Sequence, residues 1–204
     1  MSRAQSLLFL PGASGNRDFW RPVSDRLRHP AQRHFLAYPG LGGVPTDPDV
    51  KSFEDLVTRV TRAIDRPSAL IAQSMGGVLA VLATLERPEL VTQLVLTVTS
   101  GGIARSEFGA VDWRPEFLAN HPHAPRWLTD DRSDVSPRLH EITAPVLLLW
   151  GDADPISPVA IGQRLAELLP NAELVVIAGG THDLAVERAD EVSALIESHW
   201  RRVG

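Results

Sequence analysis

Three short stretches hold side chains able to attack a carbon or carry a proton: "AQSMGG" (72–77), "GDADPISP" (151–158) and "GGTHDL" (179–184). A serine hydroxyl is a poor nucleophile until a base takes its proton and an acid holds that base in the right tautomer. Ser74, a carboxylate from Asp152 or Asp154, and His182 could supply those parts. Of the seven histidines, only His182 follows an apolar strand-like run in a glycine-rich turn. His29, His34, His140 and His199 have no such setting. His121 and His123, in "NHPHAP", lack carboxylate or cysteine companions at ligand spacing, so they read as loop residues and no metal site is expected.

These residues must be brought together by the elements around them. Short apolar runs alternate with helically spaced segments, which predicts an α/β fold: a mostly parallel six-stranded sheet with helices on both faces. The runs are "SLLFL" (6–10), "HFLAY" (34–38), "SALIA" (68–72), "LVLTV" (94–98), "PVLLLW" (145–150) and "ELVVIA" (173–178). Ser52 and Asp55 predict a capping box at the start of a helix that buries Phe53, Leu56, Val57, Val60 and Ile64. A second helix carries Met75, Val78, Leu79, Leu82 and Leu85 and stops before Pro88. Ser157 and Pro158 suggest a cap and first turn leading into Val159, Leu165, Leu168 and Leu169. A last helix carries Val192, Ile196 and Trp200.

Ser74 falls where the third run turns into a helix. A residue on so sharp a corner needs small neighbours two positions either side, and Ala72 and Gly76 satisfy that demand. The corner lifts the hydroxyl above the carboxyl end of the sheet, where open α/β folds bind ligands. The helix beginning there aims free backbone N–H groups, including that of Met75, at negative charge forming nearby.

With its strand-to-helix setting, "AQSMGG" resembles the nucleophile elbow of the α/β-hydrolases, Gly-x-Ser-x-Gly, with Ala72 in place of the first glycine. "GDADPISP" and "GGTHDL" resemble the acid and histidine loops of that family, in the same order along the chain. The resemblance aligns Asp154 with the catalytic acid, with Asp152 as the fallback, and makes His182 the base. "LPGASGN" (10–16) matches the loop that supplies an oxyanion donor, although Pro11-Gly12 stands where members commonly have His-Gly. The implied donors are the backbone N–H groups of Ala13 and Met75. The resemblance also takes in "RPELVTQLVL" (87–96). It implies a sheet without the two leading strands of larger members.

Residues 101–143 interrupt the alternation with several prolines and no strand-like run, and they read as a short lid inserted between two strands. Trp20, Trp113, Phe117 and Trp127 are either the lining of an apolar substrate pocket or core fillers. The 204 residues are expected to form one domain, 1–204. With no cysteine, disulfides, thiolate metal sites and a cysteine nucleophile are excluded. A formal charge of -5 and scattered basic residues argue against nucleic acid as a partner. The four-residue run Leu7–Leu10 is too short for a signal peptide, and no stretch reaches the roughly 20 apolar residues of a membrane span. A cytoplasmic protein without a membrane partner is expected.

The expected activity is hydrolysis of a small or medium carboxylic ester or thioester through an acyl-enzyme on Ser74, without metal or cofactor. Two other readings use the same residues. One is a non-hydrolytic enzyme that abstracts a proton from a small metabolite; the other is an inactive ligand-binding relative.

Overall fold

The computed structural model describes residues 4–130 and 134–203. Six strands, β1 (Ser6–Leu10), β2 (Gln32–Phe35), β3 (Ser68–Gln73), β4 (Val91–Thr97), β5 (Val146–Gly151) and β6 (Ala172–Ile177), form one sheet. Their order is β2-β1-β3-β4-β5-β6, and every pairing is parallel. The described helices are α1 (Arg21–Ser24), α2 (Phe53–Arg62), α3 (Met75–Glu86), α4 (Arg114–Asn120), α5 (Trp127–Asp130), α6 (Val159–Leu168), α7 (Leu184–Glu187) and α8 (Ala189–Val203).

Alternate side chains of each strand point to opposite faces, so a sheet covered on both sides needs apolar residues at every position. Leu8, Leu10, Leu70, Ala72, Leu94, Leu96 and Leu148 pack on one face against α2, α3 and α6. Leu7, Phe9, Ala69, Ile71, Val95, Leu147 and Leu149 pack on the other with Val23 of α1 and Val192 and Ile196 of α8. This double burial explains why the strands read as continuous apolar runs rather than alternating ones.

Four details differ from the sequence reading. The second run is a strand only over Gln32–Phe35. Tyr38 instead turns into the core, where its hydroxyl donates to the Pro11 carbonyl at 3.0 Å. Burial pushes the Tyr38 phenol well above its ordinary pKa. Ser52 accepts from Asp55 N–H at 3.1 Å as expected, but the Asp55 carboxylate reaches one residue further back, to Lys51 N–H at 2.9 Å. That bond, together with the Ser52 contacts, holds the Asp55 carboxyl below its usual range. Ser157 does not cap α6: Pro158 occupies that position, and the Ser157 hydroxyl donates to the Thr99 carbonyl. Finally, α3 is not one-sided. Leu79, Ala80, Val81, Ala83 and Thr84 are all buried, because the sheet takes one side of the helix and α2 covers another.

Replacing Ser52 with alanine should cost about 1 kcal/mol, the usual contribution of such a cap, and lower the thermal midpoint by about 2–4 °C. Calorimetry reads this directly, and an unchanged midpoint would mean that the cap bond contributes nothing.

Residues 101–143 lie between β4 and β5, as expected, and they carry their own short elements. These are α4, α5 and two turns of 3-10 helix, Ser106–Phe108 and Ser136–Glu141. No helix among the described residues is long and apolar enough to cross a membrane.

Candidate active site

The carboxyl ends of β3, β5 and β6 deliver the three chemically able side chains to one place. Ser74 stands between β3 and α3 with φ 52° and ψ -122°, a left-handed conformation that serine rarely adopts. Holding a residue there costs on the order of 1–3 kcal/mol, so the surroundings must enforce it. They do so through close backbone packing. A side-chain carbon on Gly76 would lie 2.4 Å from the Pro11 carbonyl oxygen and 2.7 Å from that of Leu10. One on Gly77 would lie 2.4 Å from Thr99 Oγ1. Ser74 N–H donates to the Thr97 carbonyl at 3.0 Å, and the Thr99 hydroxyl donates to the Ser74 carbonyl at 2.6 Å.

Because the obstacles facing Gly76 are backbone atoms, they cannot rotate away. Gly76→Ala should therefore destabilise the fold by about 1–3 kcal/mol, a typical overpacking cost, and lower the thermal midpoint by several degrees. A midpoint equal to wild type would show that the corner is looser than its geometry implies.

His182 follows β6, and its Nε2 lies 3.0 Å from Ser74 Oγ. Its Nδ1 lies 2.7 Å from Asp154 Oδ2. The other carboxylate oxygen, Asp154 Oδ1, accepts from Ile156 N–H at 2.8 Å. The Asp154 side chain is fully shielded from solvent, whereas His182 remains partly open. Asp152, the alternative acid, faces elsewhere: it accepts from Gly179 N–H at 2.6 Å and is exposed. The acid and histidine loops are pressed together, since a side-chain carbon on Gly151 would lie 2.0 Å from the Gly180 carbonyl oxygen. Ala153 N–H donates to that same carbonyl at 3.0 Å.

Met75 N–H opens α3 directly after Ser74, and Ala13 lies in the loop after β1. Neither donates to another described residue. Gly12 packs against the elbow: a side-chain carbon there would lie 3.3 Å from Ser74 Cβ.

A cavity of about 440 Å³ opens over Ser74 and His182, a size suited to a small organic ligand. Phe53, Met75, Val78, Ile103, Leu128 and Trp113 form its apolar wall. Arg105, Asp112 and Arg114 add charged side chains to the lining. Burial pulls the Asp112 carboxyl upward, but bonds from Arg114 N–H and its guanidinium, with the Arg105 charge, hold it below the usual range. Ser74 and Val98, the two non-glycine described residues with positive φ, both line this cavity. Backbone strain thus collects at the candidate site.

The aromatic expectations divide. Trp113 lines the cavity. Phe117 does not; it is buried and supports Trp113 edge-on, with ring centroids 5.2 Å apart. Trp127 packs half-buried against the core outside the cavity wall. Trp20 is corrected outright: it is core, 1% exposed among Phe9 and Phe19, and its indole N–H donates to the Leu10 carbonyl at 2.9 Å. An indole can be buried so deeply because that carbonyl satisfies its one donor. His121 stacks on Phe117 with centroids 4.5 Å apart. No cluster of three or more metal-ligating side chains occurs among the described residues.

Sequence reasoning passed over Gln73, Thr99, Tyr38 and the charged wall. Gln73 had a visible signal, a carboxamide ending an otherwise apolar strand. Thr99 had none, since its role depends on where β4 releases the chain.

A parallel sheet with a serine on a strained strand-to-helix corner, facing loops from two later strands, defines the α/β-hydrolase fold. The chain belongs to the α/β hydrolase family, whose model matches residues 7–195. It is 27% identical to an uncharacterised hydrolase, YugF, of Bacillus subtilis over 173 residues, 63% of each chain, so the match spans less than two thirds of that relative. It is 23% identical to a pimeloyl-[acyl-carrier protein] methyl ester esterase of Yersinia pseudotuberculosis over 241 aligned positions, covering 93% of this chain and 91% of the relative. Among solved structures, a thermophilic esterase from Thermogutta terrifontis superposes with a TM-score of 0.79 at 19% identity, covering 99% of this chain and 91% of the other.

Proposed function

We propose that the protein is a serine hydrolase of small or medium carboxylic esters or thioesters. The observation that carries this reading is the continuous chain from Asp154 through His182 to Ser74, with contacts of 2.7 and 3.0 Å. Ser74 Oγ attacks the carbonyl carbon while His182 Nε2 takes its proton, and Asp154 holds the Nδ1 proton and stabilises the imidazolium. The Ala13 and Met75 N–H groups face the developing oxyanion, a contribution of about 3 kcal/mol for each well-placed donor. His182 then protonates the leaving alcohol or thiol, and water activated by the same imidazole releases the acid. No metal or cofactor is required by these steps.

The size of the cavity and its mixed wall support a short acyl chain or alcohol lodged against Trp113 and Ile103. Within the proposed lid, residues 101–143, Arg105 donates to the Ile156 carbonyl and Val111 N–H to the Pro155 carbonyl, tying this stretch to the loop that carries Asp154. The ester-hydrolysing relative and neighbour lend the reading further support.

The test is turnover of p-nitrophenyl esters and acyl thioesters of graded chain length, with Ser74→Ala as control and the products identified. Free acid is expected as product, with a chain-length optimum that Trp113→Ala moves to longer substrates. Product formed by elimination or carbon-carbon cleavage would replace it with the non-hydrolytic reading.

A further inference from the structure

Gln73 ends β3, immediately before Ser74, and is only 4% exposed. A carboxamide so deeply buried is costly unless its donors and acceptors are placed. Its Nε2 donates to the backbone carbonyl of His182 at 3.2 Å. Since that carbonyl can only accept, the amide nitrogen must face it. The opposite end of the carboxamide lies against the loop after β1: a side-chain carbon on Gly12 would meet Gln73 Oε1 at 2.3 Å. One side chain therefore touches the loop carrying Ala13 and the loop carrying His182, from the residue next to Ser74.

We infer that Gln73 is a positioning residue that fixes the backbone of His182 and the loop bearing Ala13 relative to Ser74. This rests on the serine hydrolase reading for its effect on rate, though the contact with His182 stands apart from it. The imidazole hangs from the carbonyl-bearing residue that Gln73 grips. If the grip is lost, the 3.0 Å approach of Nε2 to Ser74 Oγ is no longer enforced, and a misplacement of about 1 Å can cost about 100-fold in rate. Substrate contacts in the cavity are untouched, because Gln73 does not line it.

Two variants separate positioning from filling space. Gln73→Met keeps the length of the side chain and removes the donor; kcat should fall at least about 10-fold while KM stays within about 2-fold. Gln73→Glu replaces the donor with a negative charge beside the residue that bears the imidazole, so the His182 ring should titrate higher than in wild type. The acidic limb of the pH-rate profile should move up with it. NMR titration of the His182 ring reads that shift without turnover. A purely structural role would lower the thermal midpoint and leave both the pH limb and the split between kcat and KM unmoved. Wild-type kcat in Gln73→Met, or an unshifted His182 titration in Gln73→Glu, would overturn the inference. A wild-type protein that turns over no ester while Gln73→Glu still shifts His182 would instead refute the hydrolase reading alone.

Discussion

Ser74→Ala is expected to lower kcat on p-nitrophenyl butyrate by about 10⁵–10⁶-fold, leaving only what binding and the backbone donors provide. No other described hydroxyl has the His182 Nε2 contact, so no neighbour is placed to substitute for Ser74. The fold should survive, because the Ser74 backbone is held by the Thr97 carbonyl and the Thr99 hydroxyl, with no such bond made by its own hydroxyl. Alanine also keeps the Cβ, so the strain of φ 52° stays and the thermal midpoint should be close to wild type. Ser74→Gly differs in that respect. It should be equally inactive but should relieve about 1 kcal/mol of left-handed strain and raise the midpoint by about 2–4 °C. Two inactive variants with different stabilities would show that the corner holds serine in place at the expense of stability.

The second large effect is expected at Asp154. Asp154→Asn should reduce kcat by about 10⁴-fold with little change in KM, through the tautomer of His182 rather than through lost substrate contacts. A carboxylate at 2.7 Å requires the proton on Nδ1, which leaves Nε2 free to accept from Ser74. An asparagine amide can instead donate to Nδ1, placing the ring proton on Nε2 and blocking acceptance. The bond from Ile156 N–H can survive in the variant, so stability should change little. Asp152→Asn is the matched control, since that side chain meets Gly179 rather than His182, and its kcat should stay within about 3-fold of wild type. Equal losses in the two variants would return the acid to the ambiguity present in the sequence.

That ambiguity shows how far the sequence could be read. Strand identity was plain because β1, β3, β4 and β5 are buried on both faces and admit little but apolar residues. The corner at Ser74 was plain for a related reason: Gly76 and Gly77 record the close approach of Pro11, Leu10 and Thr99. Choosing between Asp152 and Asp154 needed a direction in space, because both follow β5 within three residues. Aromatic residues were harder still. Trp20 and Trp113 both sit near candidate loops in sequence, yet one is sealed beneath the sheet by its bond to Leu10 and the other faces the cavity. Composition cannot separate those fates, since a tryptophan fits a core and a pocket equally well. Tyr38 was misread as strand because its neighbours are apolar; its hydroxyl bond to Pro11, formed across 27 residues of chain, pulls it out of the sheet.

On the proposed mechanism, an acyl group passes through Ser74. Rapid quenching of the protein with p-nitrophenyl butyrate, followed by intact-mass measurement and peptide mapping, detects that transfer. A mass increase equal to one butyryl group is expected, confined to the peptide containing Ser74 and absent from Ser74→Ala. Butyryl mapped to another residue, or full turnover by Ser74→Ala, would rule that passage out.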